Sequence, residues 1–251
     1  MTKPPPLTSP TPASVEQLFE RRVADDPAGP LVTFYDDATG ERAELSAKSL
    51  GNWVAKTHFL LMDGIGLGVG DRAFVSLPVH WLAAPILLGC WFAGLHVTTS
   101  PDGAAVAFGD AESLLGADCA AADDLFAVSL LSMARSAEPP PGMADYAASV
   151  RPQPDNWPSV RAQARPTDPA LDGLSRAELA QAGSGAATEL GLGPRGRLLW
   201  SGEWAPPRDW IAALVAPIVV GGSVVLVRNA DPDALADRAR SENVTAQSRR
   251  T

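Results

Sequence analysis

GLGVGDR at residues 66–72 and GLGPRGR at residues 191–197 punctuate the chain twice in the same way. Each follows a stretch whose apolar residues fall at helical spacing, and each precedes a short apolar run of the kind that forms a buried strand. The strand candidates, RAFVSLP and RLLWSG, are each followed by an apolar helix candidate, a glycine and a second strand candidate, LHVTTS or SVVLVR. Self-similarity at this scale marks a repeated supersecondary unit. It predicts an α/β fold of two similar lobes, with mostly parallel sheets and covering helices.

The glycines invite a second reading, because GIGLGVGD (64–71) holds four of them on alternate positions ahead of an acid. A loop that cradles phosphate runs strand, glycine turn, helix, so that the anion meets unsatisfied N–H groups and the positive end of the helix dipole. Here the order is reversed in both copies. The helix presents its carbonyl end to the loop, which repels anions, and glycine at that position relieves the left-handed geometry of a helix stop. The spacing also departs from GxGxxG and from GxxxxGK[ST]. Both phrases therefore read as joints.

Outward from the first joint, SAKSLGNWVAKTHFLLMDG places Leu50, Trp53, Val54, Thr57, Leu60 and Leu61 on one helical face. Further upstream, SVEQLFERRVADDP opens on Ser14 as an N-cap with Gln17 at the capping-box position, and Asp26-Pro27 ends it. LVTFYDD and ERAELS flank a turn at 38–40 and read as a β-hairpin. Downstream, VHWLAAPILLGCWFAG is an apolar helix, and AAVAFGD and LFAVSL add strands. Residues 136–168 are proline-rich (AEPPPG, RPQPDNWP, RPTDP) and hold one short helix candidate, ADYAASV. The last third supplies helices at SRAELAQAGSGAATELG, PRDWIAALVAPIVV and DPDALADRARSEN. The expected organisation is a disordered arm over 1–13, a first lobe over 14–135, a linker over 136–168 and a second lobe over 169–251. The two lobes pack as one unit.

With 251 residues, 46% of them apolar, the chain can bury a large core. A net charge of −9 argues against nucleic acid and anionic membrane surfaces as partners. The start, MTKPPPLTSPTP, lacks the apolar core of a secretory signal. The uncharged run Trp210 to Val227 is cut by Pro217 and Gly221-Gly222, so no membrane insertion is expected. These features make the cytoplasm the expected location.

Reactive chemistry is sparse. Cys90 sits in the apolar run ILLGCWFAGL, Cys119 stands alone, and neither lies in a CxxC or beside a histidine. His58, His80 and His96 fall on three different elements without an HxxH or HExxH pair, so no metal site is expected. His80, beside Trp81 at a helix start, reads as a capping or surface residue. There is no GxSxG elbow. Trp53, Trp91 and Trp210 lie on apolar helical faces and read as core, while Asp36-Asp37 and Asp123-Asp124 read as solvated loops.

Segment by segment, the chain resembles the N-terminal region of the adenylate-forming superfamily of acyl-CoA synthetases, adenylation domains and luciferases. SVEQLFERRVADDP, ELSAKSLGNWVA, GLGVGDRAFVSLPVH and LLGCWFAGLHVTTSPD are similar to its opening helix, its "tyaeL" helix, its glycine turn and strand, and its "kaGav-vPldp" passage. More narrowly, TFYDDATGERAELSAKSLGNWVAKT, with the His80-Trp81 pair, resembles an actinobacterial group of short proteins related to these synthetases.

The departures from that resemblance set the functional expectation. The family's phosphate loop, of the form TSGTTGxPKG, falls just before the segment matched by LSRAEL, where this chain has ARPTDPALDG. The family's later motifs, through the C-terminal domain with its adenylation lysine, fall beyond residue 251. Phosphoryl chemistry relies on cationic and N–H stabilisation of charge. The chain is therefore expected to carry no catalytic residues and no cofactor, and to act as a binding or regulatory protein without adenylation activity. The alternative is a half-site subunit of a split ligase, with a protein partner covering the C-terminal sheet edge. The one substrate-binding residue that the resemblance implies is Asp209, near the position where amino-acid-activating relatives hold a substrate ammonium. Against that stands its place in a helix's first turn, where an acid is favourable by about 0.3–1 kcal/mol.

Overall fold

The computed structural model describes residues 13–117, 119, 122–132, 135, 138–157, 160 and 164–248. Apart from residue 13, the expected N-terminal arm lies outside the described residues. The chain opens with α1 (Val15–Asp25), whose Ser14 and Gln17 form the reciprocal capping box read from the sequence. A hairpin of β1 (Pro30–Asp36) and β2 (Glu41–Ser46) leads into α2 (Ala47–Phe59), which ends in a π-helical turn (Leu60–Gly64). Then come β3 (Arg72–Ser76), α3 (Ala83–Phe92), β4 (His96–Thr98), β5 (Val106–Gly109), α4 (Ala111–Gly116) and β6 (Asp124–Ala127).

Within the stretch read as a linker, the described residues include β7 (Ala144–Asp145) and α5 (Tyr146–Val150). A tight hairpin follows, β8 (Pro169–Leu171) and β9 (Leu174–Ser175), and then α6 (Arg176–Glu189). The second repeat is β10 (Arg197–Trp200), α7 (Arg208–Trp210) running through a π-helical stretch (Ile211–Val215) into α8 (Ala216–Val219), and β11 (Ser223–Arg228). The described chain closes with α9 (Pro232–Ser241) and β12 (Ala246–Gln247).

Two mostly parallel sheets result, ordered β12-β10-β11-β1-β2 and β7-β6-β5-β3-β4-β8-β9. The repeat is visible in them. β3 lies parallel between β4 and β5 just as β10 lies parallel between β11 and β12, and the repeated arginines start each central strand: Arg72 opposite His96, Arg197 opposite Ser223. The sheets also exchange pieces of sequence. The hairpin 30–46 joins the C-terminal sheet beside β11, and the hairpin 169–175 joins the other sheet beside β4.

Both glycine phrases are joints between a helix end and a strand. Gly66, Gly70 and Gly191 take positive φ values of 75°, 96° and 67°, the left-handed geometry glycine adopts without steric cost. The N–H groups of Leu67, Gly68 and Gly70 are spent on Leu61 O, Asp71 Oδ2 and Gly94 O, so the first loop cradles its own chain. At the second joint the backbones of Gly196 and Gly222 touch: a Cβ on Gly222 would stand 2.1 Å from Gly196 O.

One continuous core fills the space between the sheets, built from α1, α2, α3, α6 and α8 against the inner sheet faces. Trp91 and Trp210 are among its largest fully buried side chains, and Trp53 packs on Trp81 at its margin, as their helical faces predicted. Two sequence readings need correction. His80 caps the chain entering α3 but is fully buried rather than at the surface. Asp36 is buried at the end of β1, where it accepts from the Ala38 N–H and the Asn229 amide, because the neighbouring end of β11 covers it.

Candidate functional site

Two places follow from the sequence: the segment where a phosphate loop would stand, ahead of α6, and the surroundings of Asp209. In the first, the chain makes a two-residue hairpin at Asp172 and Gly173, with φ values of 30° and 85°. That left-handed pair closes strands β8 and β9 tightly, and Pro169 pairs with Ser175 across it.

The donors of this segment are turned inward. Arg165 and Asp168 N–H bond Asp168 Oδ2 and Arg165 O, and Asp172 N–H bonds Val97 O. Arg176 and Ala177 N–H bond Asp168 O and Pro166 O, while Ser175 and Glu178 close a capping box. Pro166 and Pro169 have no N–H to give. The side chains add negative charge: Asp172 accepts from the Thr99 N–H and hydroxyl, and Asp168 is held by Arg165, which lowers its carboxyl below the usual range through backbone and side-chain hydrogen bonds. The neighbouring cation, Arg176, points into the core. It donates to Glu16 and to the carbonyls of Trp91 and Leu95, and is fully buried. The N–H groups of Arg165, Asp168, Asp172, Ser175, Arg176, Ala177 and Glu178 are thus engaged within the fold.

The second place is an open cleft of about 840 Å³ beside α6, at the carboxyl ends of β10 and β12. Open α/β sheets take their ligands outside the carboxyl ends of the strands. Ala186 and Leu190 of α6, Trp200 of β10, Ile211 of the π-helical stretch and Gln247 of β12 are among its walls. Asp209 lies on this cleft but is only 1% exposed. Its Oδ2 accepts the Ala205 N–H at 2.7 Å, tying down the loop that enters α7. Glu189 and Arg208 are the other charged residues of the wall.

The remaining candidates are packed as structure. His80 lies against the Phe34 ring, its Nδ1 accepts the Leu82 N–H at 3.2 Å, and burial, then the Arg228 charge, push its pKa down to about 3 despite nearby Asp36. His58 is buried and His96 half-buried, both shifted down chiefly by desolvation. Cys90 and Cys119 are both buried, and burial pushes the Cys90 thiol up. Among the described residues no cluster of His, Cys, Asp or Glu is arranged to hold a metal, and no helix is long and apolar enough to cross a membrane.

No family model matches the chain. Among solved structures, the acyl-CoA synthetase of Brucella canis superposes on 96% of this chain and 48% of its own, with a TM-score of 0.74 and 17% identity. The acetoacetyl-CoA synthetase from Streptomyces lividans superposes on 93% of this chain and 42% of its own, with a TM-score of 0.75 and 18% identity. That likeness is one of fold, and the chain spans less than half the length of either synthetase. A relative in Mycobacterium tuberculosis (strain ATCC 25618 / H37Rv), described as a TIGR03089 family protein, is 36% identical over 245 residues, which are 95% of this chain and 99% of that protein. With an acyl-CoA-synthetase-like fold and a relative matched over nearly its whole length, the chain belongs to the TIGR03089 family.

Proposed function

We propose that this protein is an acyl-CoA-synthetase-like binding or regulatory protein that forms no adenylate itself. The observation that supports the reading is the hairpin at Asp172-Gly173, where the synthetase family's phosphate loop falls: the Asp172 N–H is spent on Val97 O and the Asp172 carboxylate is held by Thr99. A ligand of this protein then belongs in the cleft on Asp209, which we assign to ligand contact through the carboxylate that also holds Ala205. We place the protein in the cytoplasm on its two buried cysteines, which form no disulfide with each other, and in an actinobacterial group on its mycobacterial relative. ATP–pyrophosphate exchange across a panel of carboxylic acids tests the reading. Background rates with the purified chain are expected, and acid-dependent exchange would refute it.

A second reading, a half-site subunit of a split ligase, draws on β12, which has a neighbour on one side only. A protein partner adding a strand there would extend the sheet. Co-purification of a stoichiometric partner, with adenylation restored in the complex, is the outcome that favours it. A monodisperse monomer that gains no activity with any co-purified protein goes against it.

A further inference from the structure

The segment after β11 is held to the fold by charge more than by burial. The first five residues of β11 are all buried, whereas in residues 230–248 Ala246 alone is. α9 buries none of its residues. Yet it covers Leu199, Val225 and Val227, none more than 1% exposed, with only Leu235 and Ala239 of its own pressed onto them.

Two charged anchors hold the helix down. Arg238 donates to both Asp37 oxygens, at 3.0 and 2.7 Å, and lies 4.2 Å over the Tyr35 ring. Past the helix end, Glu242 accepts from the Tyr35 hydroxyl and from Arg197, each at 2.5 Å, and from Arg42 at 3.3 Å. Non-glycine residues with positive φ stand at both joints, Asn229 (50°) before α9 and Asn243 (52°) between α9 and β12. β12 then pairs with β10 through Ala246 and Gln247, and Gln247 and Ser248 form a wall of the Asp209 cleft.

Segments with few buried apolar contacts open at a lower free energy than the global unfolding of the domain. Of the segment's own apolar residues, opening exposes the partly buried Ala230, Leu235, Ala239 and Val244 and the buried Ala246, and it returns both members of each ion pair to water, which offsets most of the Coulomb attraction lost. We propose that residues 230–248 form a strap that opens as one unit while the rest of both sheets stays folded. Opening removes one wall of the cleft and uncovers the Leu199–Val225–Val227 strip together with the outer edge of β10. The strap makes the cleft's shape depend on the Arg238–Asp37 and Glu242 contacts, whether or not a ligand occupies the cleft.

Native-state hydrogen exchange on the full chain, read by mass spectrometry from zero to sub-denaturing urea, tests this. The expected result is that peptides within 230–248 exchange on the order of 100-fold faster than α1 and α2, with a shallow urea dependence. Asp37→Asn should speed exchange of 230–248 about tenfold and leave α1 and α2 unchanged. Equal rates and equal urea slopes for the strap, α1 and α2 would overturn the proposal, as would an Asp37→Asn effect spread evenly over all peptides. If Asp37→Asn does not fold, the urea series on the unmodified protein decides by itself.

Discussion

Glu16 and Arg176 form an ion pair with neither side chain more than 1% exposed, joining the first turn of α1 to the first turn of α6. Arg176 also ties these helices to the end of α3 through the carbonyls of Trp91 and Leu95. Removing one member of such a pair strands the other in the core and costs about 3–5 kcal/mol, whereas an apolar pair of similar volume is often neutral. Arg176→Met is therefore expected to lower stability by about that amount. Glu16→Leu combined with Arg176→Met should cost less than Arg176→Met alone, as read from urea unfolding. A double variant as damaged as the sum of the singles would contradict this.

His80 sets a pH dependence. Its folded pKa, about 3, lies below the ordinary value near 6.5, so between those values the unfolded chain binds a proton that the folded chain refuses. Stability from this residue is complete above pH 6.5 and falls as pH drops below it, by up to about 1.4 kcal/mol per unit. His58 and His96 are displaced in the same direction and add to the slope. Thermal melts from pH 7 to 4.5 should show this decline, and His80→Asn, which retains an acceptor for the Leu82 N–H, should flatten it. An unchanged slope in that variant would show that His80 is not the titrating group.

The two glycine joints give a paired test. Gly222→Ala places a methyl against Gly196 O and is expected to cost about 1–3 kcal/mol. Gly68→Ala meets open space at an ordinary φ and should stay within about 0.5 kcal/mol of the parent. Chemical unfolding midpoints compare them. A large loss at Gly68 would mean that the first loop does more than turn the chain.

The structural role of Asp209 can be separated from its proposed contact with ligand. Asp209→Ala leaves the Ala205 N–H without its acceptor, at a cost of about 1–3 kcal/mol, while Asp209→Asn keeps an acceptor and should melt closer to the parent. Any small molecule that raises the melting temperature of the parent should lose that effect in Asp209→Asn if its charge contacts the ligand. Retention of the full shift would remove Asp209 from the site.

Most elements are legible because amphipathic helices carry a period, as in α1 and α2, and because fully buried elements such as α3 and β11 are continuous apolar runs bounded by glycine or charge. The short strands β7, β8, β9 and β12, of two or three residues, have no period to read, so the turn at Asp172-Gly173 has no strand pattern on either side to mark it as a hairpin. Placing the 30–46 hairpin beside β11 depends on a partner nearly two hundred positions away, which local patterning does not encode. The same holds for Arg176, polar by type and buried only because Glu16 and two helix-end carbonyls receive it. At the candidate site, the departure of ARPTDPALDG from the synthetase phosphate-loop pattern is plain from residue types. The Asp209 cleft is not, because its walls come from α6, α7 and β12 and meet only in the fold.

Whether residues 164–178 hold a nucleotide triphosphate is read by calorimetric titration of the 251-residue chain with MgATP. No saturable heat is expected at millimolar ATP. A stoichiometric binding isotherm that disappears when the Asp172-Gly173 turn is altered would contradict that expectation.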